Sequence, residues 1–516
     1  MQQIFRFISR DPAWLAVFVG LFISLVNVLT DDVINSDGIL YSEVTAKFID
    51  GDWQGALTQF SWPFYPLLLS VISKISFLDF EVTAKLVSAG LLALLAFMFV
   101  RISQLLGGDR LVMICAAVLL LTNITLNDYR DLIIRDHGYW AFFFTAVYFF
   151  LQYYRSRLTK YALGFGFSML IAIAFRVEGI VFAVLAPTML LFQQGTWRQR
   201  LYQYLVPMLP LLAVVSAVLV VVLLSPALID KFSSAASRGD GSLLGPLKYF
   251  QTNIQGLVQS IIEKGNLIEE HVLDINARNM GTKSVIAIMI MTLVVKVISA
   301  AGYINILFSV LAGFNSRIRE SIVGINVIAG FMLINLFVLI VVVTSKTFLT
   351  PRYAMSLALL ISLTAAFSLA DFLRSQVREY SKWRQRGKVL LIVVLAYMFL
   401  DGLISTGSSK AYLRESGLWL KNNAPAEARL FSNEESLYYY SGRKVDQNSL
   451  VFVFEQTRFS RLPLVEQALL FDYVAIKVGR KQKGFEQNVI DWMGSKPIHR
   501  DGNKSGDAVL IFKVKK

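Results

Sequence analysis

Residues 321–371 read SIVGINVIAGFMLINLFVLIVVVTSKTFLTPRYAMSLALLISLTAAFSLAD. Two apolar runs, 321–344 and 353–371, flank a short turn that carries Lys346 and Arg352. At about 1.5 Å of helix per residue, each run is about long enough to cross a hydrocarbon core of ~30 Å. The pair reads as two spanning helices joined at one face of a membrane.

The same pattern extends outward from this hairpin. Further spans are expected at 12–30, 83–103, 110–126, 138–154, 160–175, 178–194, 201–225, 284–313 and 388–404. The stretch 63–77, PFYPLLLSVISKISF, is apolar but short and proline-flanked, so it is expected to lie at the interface as a helix that does not span. The expected fold is therefore an α-helical polytopic membrane protein of about eleven transmembrane helices over residues 1–404.

Composition agrees. Of 516 residues, 55% are hydrophobic and only 17% are charged, which excludes an ordinary soluble chain. The mean hydropathy is +0.56. A net charge of +14 does not point to nucleic acid, because the basic residues collect in short turns between apolar runs. The N-terminus, MQQIFRFISRDPAWLAVFVGLF, has no small-residue cleavage site and reads as an uncleaved anchor. The single cysteine, Cys115, excludes an intrachain disulfide and a cysteine metal site.

Charge distribution sets the orientation. With Arg6 and Arg10 inside, the cytoplasmic turns hold Arg101 and Arg110, then Arg155, Arg157 and Lys160, then Arg198 and Arg200. They continue with Arg317 and Arg319 and with the cluster from Arg374 to Lys388. Counting 63–77 as a span would turn that last cluster outward, against the positive-inside bias. The opposite face receives loop 31–82, turn 127–137, loop 226–283, turn 345–352 and residues 405–516. That C-terminal part alternates helical stretches (Ser409–Asn423) with β-prone runs (Tyr473–Val478, Ala508–Val514), and reads as a small α/β soluble domain.

Charged residues at membrane depth are costly, so those at the outer ends of spans are candidates for chemistry. No Gly-rich phosphate loop and no HExxH stands in the chain. In the first outer loop Asp37 opens a helical stretch, where an aspartate can also serve as a cap. Tyr41, Glu43, then Gly51-Asp52-Trp53 and a proline-bearing aromatic helix follow it. The turn NDYRDLIIRDH places Arg135 and Asp136 just before a span, FRVEG places Arg176 and Glu178 in a tight turn, and TSKTFLTPRY ends on Arg352 and Tyr353.

In this order and topology the segments resemble the GT-C glycosyltransferases, closest to the bacterial branch of aminoarabinose transferases and protein mannosyltransferases that use polyprenyl-phosphate sugars. The stretch GLWLKNNAPAEARLFSNEESLYYYSGRKV is similar to the start of the soluble domain on many bacterial members. One departure is plain: Ser61 and Trp62 stand where the aminoarabinose branch carries a basic residue before Pro63, which leaves the donor sugar open.

The resemblance implies an inverting, single-displacement transfer from a polyprenyl-phosphate-linked sugar to an acceptor on the outer face, the periplasm of a bacterial inner membrane. The acceptor would be lipid A, a surface polysaccharide or a protein. Asp37 would be the general base, with Asp136 positioning the acceptor or sharing that role. Arg352 is first choice for the donor phosphate because guanidinium binds phosphate in a fork, with Lys346, Arg135 and Arg176 in reserve. Tyr41, Glu43 and Tyr353 would position substrate. No cofactor is required, although paired carboxylates would accommodate a divalent ion. The alternatives are a transporter or flippase of a lipid-linked saccharide, and a non-catalytic membrane subunit.

Overall fold

A computed structural model of the chain describes residues 11–30, 33–224, 256–271, 280–346, 348–374, 382–403, 409–445, 467–482 and 484–514. Asp31, Asp32, Lys483 and most of loop 226–283 lie outside the described residues. Two compact units divide the chain. One comprises Met1–Val28 and Val44–Ile404, the other Leu29–Glu43 and Ser405–Lys516.

In the first unit, six helices among the described residues are long and apolar enough to cross a membrane. They are Pro12–Thr30, Phe80–Leu105, Trp197–Val218, Gly281–Ala301, Ile325–Lys346 and Pro351–Arg374. The other expected spans correspond to helices that are shorter, broken or less apolar. Residues 110–126 divide into Arg110–Leu121 and Ile124–Asp128, because the Asn123 side chain accepts the Leu126 N–H at 2.7 Å and starts a new helix. Residues 178–194 form the helix Gly179–Leu185 and then a 3₁₀ segment, Ala186–Phe192, that contains Pro187.

The expected span 284–313 is two helices, Gly281–Ala301 and Tyr303–Phe314, separated at Gly302 (φ +81°). Hydropathy is uniform across this break, so the apolar pattern does not reveal it. A helix broken in an apolar medium exposes carbonyls that need partners. Here they have them: Thr125 Oγ1 donates to Ser299 O at 2.8 Å, Asn123 Nδ2 to Ala300 O at 2.9 Å, and Asn305 Nδ2 to Ala301 O at 2.8 Å.

Asp136–Ser156 is deeply set in this unit, with Tyr139, Phe143, Phe144 and Phe150 buried along it. Phe143 meets Phe182 and Phe331 edge to face at 4.9 and 5.9 Å, the geometry favoured by the ring quadrupole. Phe64–Ser76 has 13 residues and ends at Phe77 in the left-handed conformation. At roughly 20 Å it is shorter than a hydrocarbon core. Its Tyr65 is 1% exposed, so this ring is a core residue and not the interfacial anchor that its aromatic type suggests.

Among the described residues, the second unit is built on a four-stranded sheet, order β1-β2-β4-β3. The strands are β1 Leu430–Ser432, β2 Tyr473–Val478, β3 His499–Gly502 and β4 Ala508–Lys513; β1 runs parallel to β2, and the other pairs are antiparallel. Alternation divides the central strands between two cores. Val474, Ile476, Val478, Leu510 and Phe512 pack with Phe485 and Val489, while Tyr473, Ala475, Val509 and Ile511 pack with Tyr412, Leu413 and Leu420. Val33 joins the second core, and the Ile34 N–H donates to Tyr440 Oη at 2.9 Å. These contacts fasten residues 33 and 34 to the C-terminal part of the unit.

Candidate active site

The FRVEG turn organises the site of the first unit. Thr159–Phe175 ends with the Arg176 N–H on Ala172 O, and Arg176 itself is extended (φ −146°, ψ 125°). Gly179 then begins the next helix within two residues. The neighbouring helix Asp136–Ser156 approaches closely because Gly138 lacks a side chain: a Cβ there would meet the Phe175 ring at 2.3 Å. That approach brings Asp136 to Arg176.

Arg176 is 5% exposed and holds two carboxylates. Its Nη1 donates to Asp136 Oδ1, while Nη2 and Nε donate to Glu178 Oε1 and Oε2 at 2.6 and 3.3 Å. The guanidinium lies 4.4 Å from the Tyr353 ring centroid and 5.7 Å from that of Tyr139. Three of its N–H directions are therefore committed to carboxylates and its faces to aromatic rings. Arg176, a reserve phosphate ligand on sequence grounds, is the residue that pairs with both Asp136 and Glu178. Asp136 opens its helix but is not the cap residue; Arg135 occupies that position and makes no side-chain cap bond.

Arg352 follows Pro351 at the start of the helix Pro351–Arg374, a place where proline is favoured. Its guanidinium lies 5.5 Å from the Tyr353 ring centroid. Tyr139, Trp140, Arg176, Glu178, Arg352 and Tyr353 line one cleft, closed on the far side by Asn335, Val338 and Val342. Arg135 rests against the Phe60 ring at 5.4 Å and acts electrostatically on Glu178. Lys346 is exposed at the end of its helix and does not line the cleft. His137 is buried, with Nε2 2.9 Å from Tyr129 O.

Arg130 is a buried group that the sequence did not single out. It donates to Gly20 O at 3.1 Å, Ser24 Oγ at 3.0 Å and Asn127 Oδ1 at 3.1 Å, tying the turn 127–137 to the helix Pro12–Thr30. Nothing in NDYRDLIIRDH separates this arginine from Arg135, because only the depth of each side chain distinguishes them.

The remaining candidates belong to the second unit. Asp37 is the second residue of the helix Ser36–Ile49 and is half-buried, within the first turn where a negative charge is favourable. Tyr41 is 4% exposed and Glu43 is exposed. Asp37, Glu43 and Glu434 act together on Glu435, whose side chain hydrogen-bonds Ser36. Burial chiefly, and then these carboxylates, raise the Glu435 pKa above its usual 4.5, against the Ser36 bond that lowers it. A carboxyl shifted upward holds its proton in the folded state where the unfolded chain has lost it, so stability falls as pH rises from about 4.5 through the raised value. Glu435→Gln should therefore raise the unfolding temperature at about pH 8 and leave it nearly unchanged at about pH 4. Thermal unfolding in detergent at the two pH values checks this; an equal shift at both would assign the effect to packing.

Among the described residues, no group of three or more His, Cys, Asp or Glu side chains is arranged to hold a metal ion.

The sequence matches no protein-family model and no curated protein. The fold does have relatives among solved structures. Archaeal oligosaccharyltransferase AglB from Archaeoglobus fulgidus, in complex with an inhibitory peptide and a dolichol-phosphate, superposes with a TM-score of 0.52 at 10% identity, over 94% of this chain and 71% of that one. ArnT from Cupriavidus metallidurans, bound to undecaprenyl phosphate, gives a TM-score of 0.51 at 13% identity, over 96% of this chain and 97% of that one. The chain shares the fold of these two structures, as an integral membrane protein with a small C-terminal sheet.

Proposed function

We propose that the protein is a glycosyltransferase that moves a sugar from a polyprenyl phosphate to an acceptor hydroxyl on the outer face of a bacterial inner membrane. The observation that carries the reading is the cleft beside the Asp136–Arg176–Glu178 cluster, which offers Arg352 and Tyr353 at the end of a helix whose other end pairs Arg374 with Asp109. The GT-C fold supports it. The positive-inside bias assigns Arg374 to the cytoplasm and so assigns the cleft to the opposite side.

In this reading Asp37 takes the acceptor proton as the acceptor oxygen attacks the anomeric carbon. The bond from that carbon to the phosphate oxygen breaks, and polyprenyl phosphate leaves as the anion. A phosphate leaving group needs no protonating acid; it needs fixed positive charge where its own charge develops. Arg352 supplies this charge, and Tyr353 orients the Arg352 and Arg176 side chains through its ring. Asp136, held by Arg176, positions the acceptor. Lipid A, a surface polysaccharide and a protein are the acceptor classes.

Mass spectrometry of lipids and surface glycans from a strain lacking the protein tests the function. One glycosyl substituent should vanish while its polyprenyl-phosphate donor accumulates; an unchanged envelope would sink the proposal. The Gly302 break favours a second reading, a transporter of a lipid-linked saccharide, since broken helices frame transporter sites. Purified protein separates the two: a transferase converts donor and acceptor in detergent, where transport has no meaning.

The phosphate assignment has its own test. Arg352→Ala should reduce the rate at limiting donor by roughly 10- to 100-fold, the worth of a charge-assisted hydrogen bond. Arg352→Lys should restore only part, because an ammonium lacks the fork. Wild-type kinetics in the alanine variant would make Arg352 a membrane anchor.

A further inference from the structure

Away from this cleft, the first unit contains an apolar groove bounded by the helices Pro12–Thr30, Arg110–Leu121, Pro351–Arg374 and Lys382–Leu403. It encloses about 1,400 Å³, counting its open side. Its floor is made of small residues, among them Ala16, Cys115 and Ala117, and its walls of Leu15, Ile114 and Phe399. Lining residues run from Leu111 to Thr122 along one helix, so the groove is roughly 17 Å long. An apolar slot of this length matches an extended hydrocarbon chain better than it matches water, which needs polar partners.

One end of the groove is basic. Arg110 immediately precedes Leu111, and Lys388 lies one turn before Ile392, which also lines the groove. Lys388 Nζ donates to the carbonyl of Leu373 at 2.9 Å, which places this ammonium at the mouth. Asp109 is paired with Arg374 and Asp11 with Arg101. Among the described residues at this end, Arg101, Arg110, Arg374, Arg386 and Lys388 outnumber Asp11, Asp109 and Asp371. The excess is positive at the groove mouth, on the side that the positive-inside bias assigns to the cytoplasm.

We infer that this groove binds an anionic diacyl phospholipid of the cytoplasmic leaflet, with one acyl chain laid between the four helices and the phosphate at Arg110 and Lys388. Basic pockets between transmembrane helices on this side favour anionic headgroups, and the apolar length fixes the chain. The inference rests on membrane orientation alone and stands whether or not the protein transfers sugar.

Native mass spectrometry of the full-length protein in mild detergent reads the occupant. An anionic phospholipid is expected to remain bound after zwitterionic lipid has been washed away. Ala396→Trp places an indole in the groove and is expected to remove most of that lipid. The double variant Arg110→Gln with Lys388→Gln leaves the apolar walls intact; it should still bind lipid, with its preference for anionic over zwitterionic species reduced about fivefold per charge. Retention of no lipid by the unaltered protein overturns the inference, as does retention of a polyprenyl phosphate instead of a diacyl lipid. An anionic preference untouched by the double variant also overturns it, independently of how Ala396→Trp folds.

Discussion

Asp37→Asn is expected to lower turnover by roughly 10²-fold or more while the protein still folds and binds donor. Asparagine keeps the size of aspartate, so shape is preserved while charge and basicity are lost. Asp37 occupies the second position of Ser36–Ile49, so its hydrogen-bonding role there is that of a first-turn residue. If that structural role is its only one, Asp37→Asn and Asp37→Ala will each cost about 0.3–1 kcal/mol of stability with little change in turnover. Rates at saturating donor and unfolding temperatures for the two variants distinguish the outcomes. An active Asp37→Asn enzyme would move the base to Asp136 and leave the reaction class standing.

The second large effect is expected at Arg176. Removing it by Arg176→Ala strands the carboxylates of Asp136 and Glu178, whose side chains are 4% and 19% exposed. Breaking a buried ion pair from one side costs about 3–5 kcal/mol, because a charge is left in a poor solvent. Arg176→Lys should recover only part of this, since one ammonium cannot reach both carboxylates with the forked geometry of a guanidinium. Adding Asp136→Asn and Glu178→Gln to Arg176→Ala should recover much of the lost stability without recovering activity. Thermal unfolding in detergent measures the first effect and transfer assays the second. If Arg176→Ala melts with the unaltered protein, the cluster is solvated and its clamp role is wrong.

What the sequence determined by itself was the class of molecule and much of its local structure. Hydropathy adds along the chain, so long runs such as 321–344 and 353–371 identify membrane helices whatever surrounds them. The β-prone run Tyr473–Val478 marked a strand, and the structure has β2 over those residues. The order of FRVEG, NDYRDLIIRDH and TSKTFLTPRY along the chain also sufficed to suggest the GT-C resemblance, and the chain shares its fold with an oligosaccharyltransferase structure. The tertiary structure decided which charges meet. Arg176 reaches Asp136, forty residues away in the chain, because Gly138 lets a helix close onto Phe175. It decided that residues 29–43 pack with the C-terminal sheet through Val33 and Tyr440, and that Gly302 breaks a uniformly apolar run whose carbonyls three polar side chains satisfy. Burial of a run is a sum over neighbours in sequence, whereas an ion pair or a helix break depends on partners that only packing brings within about 3 Å.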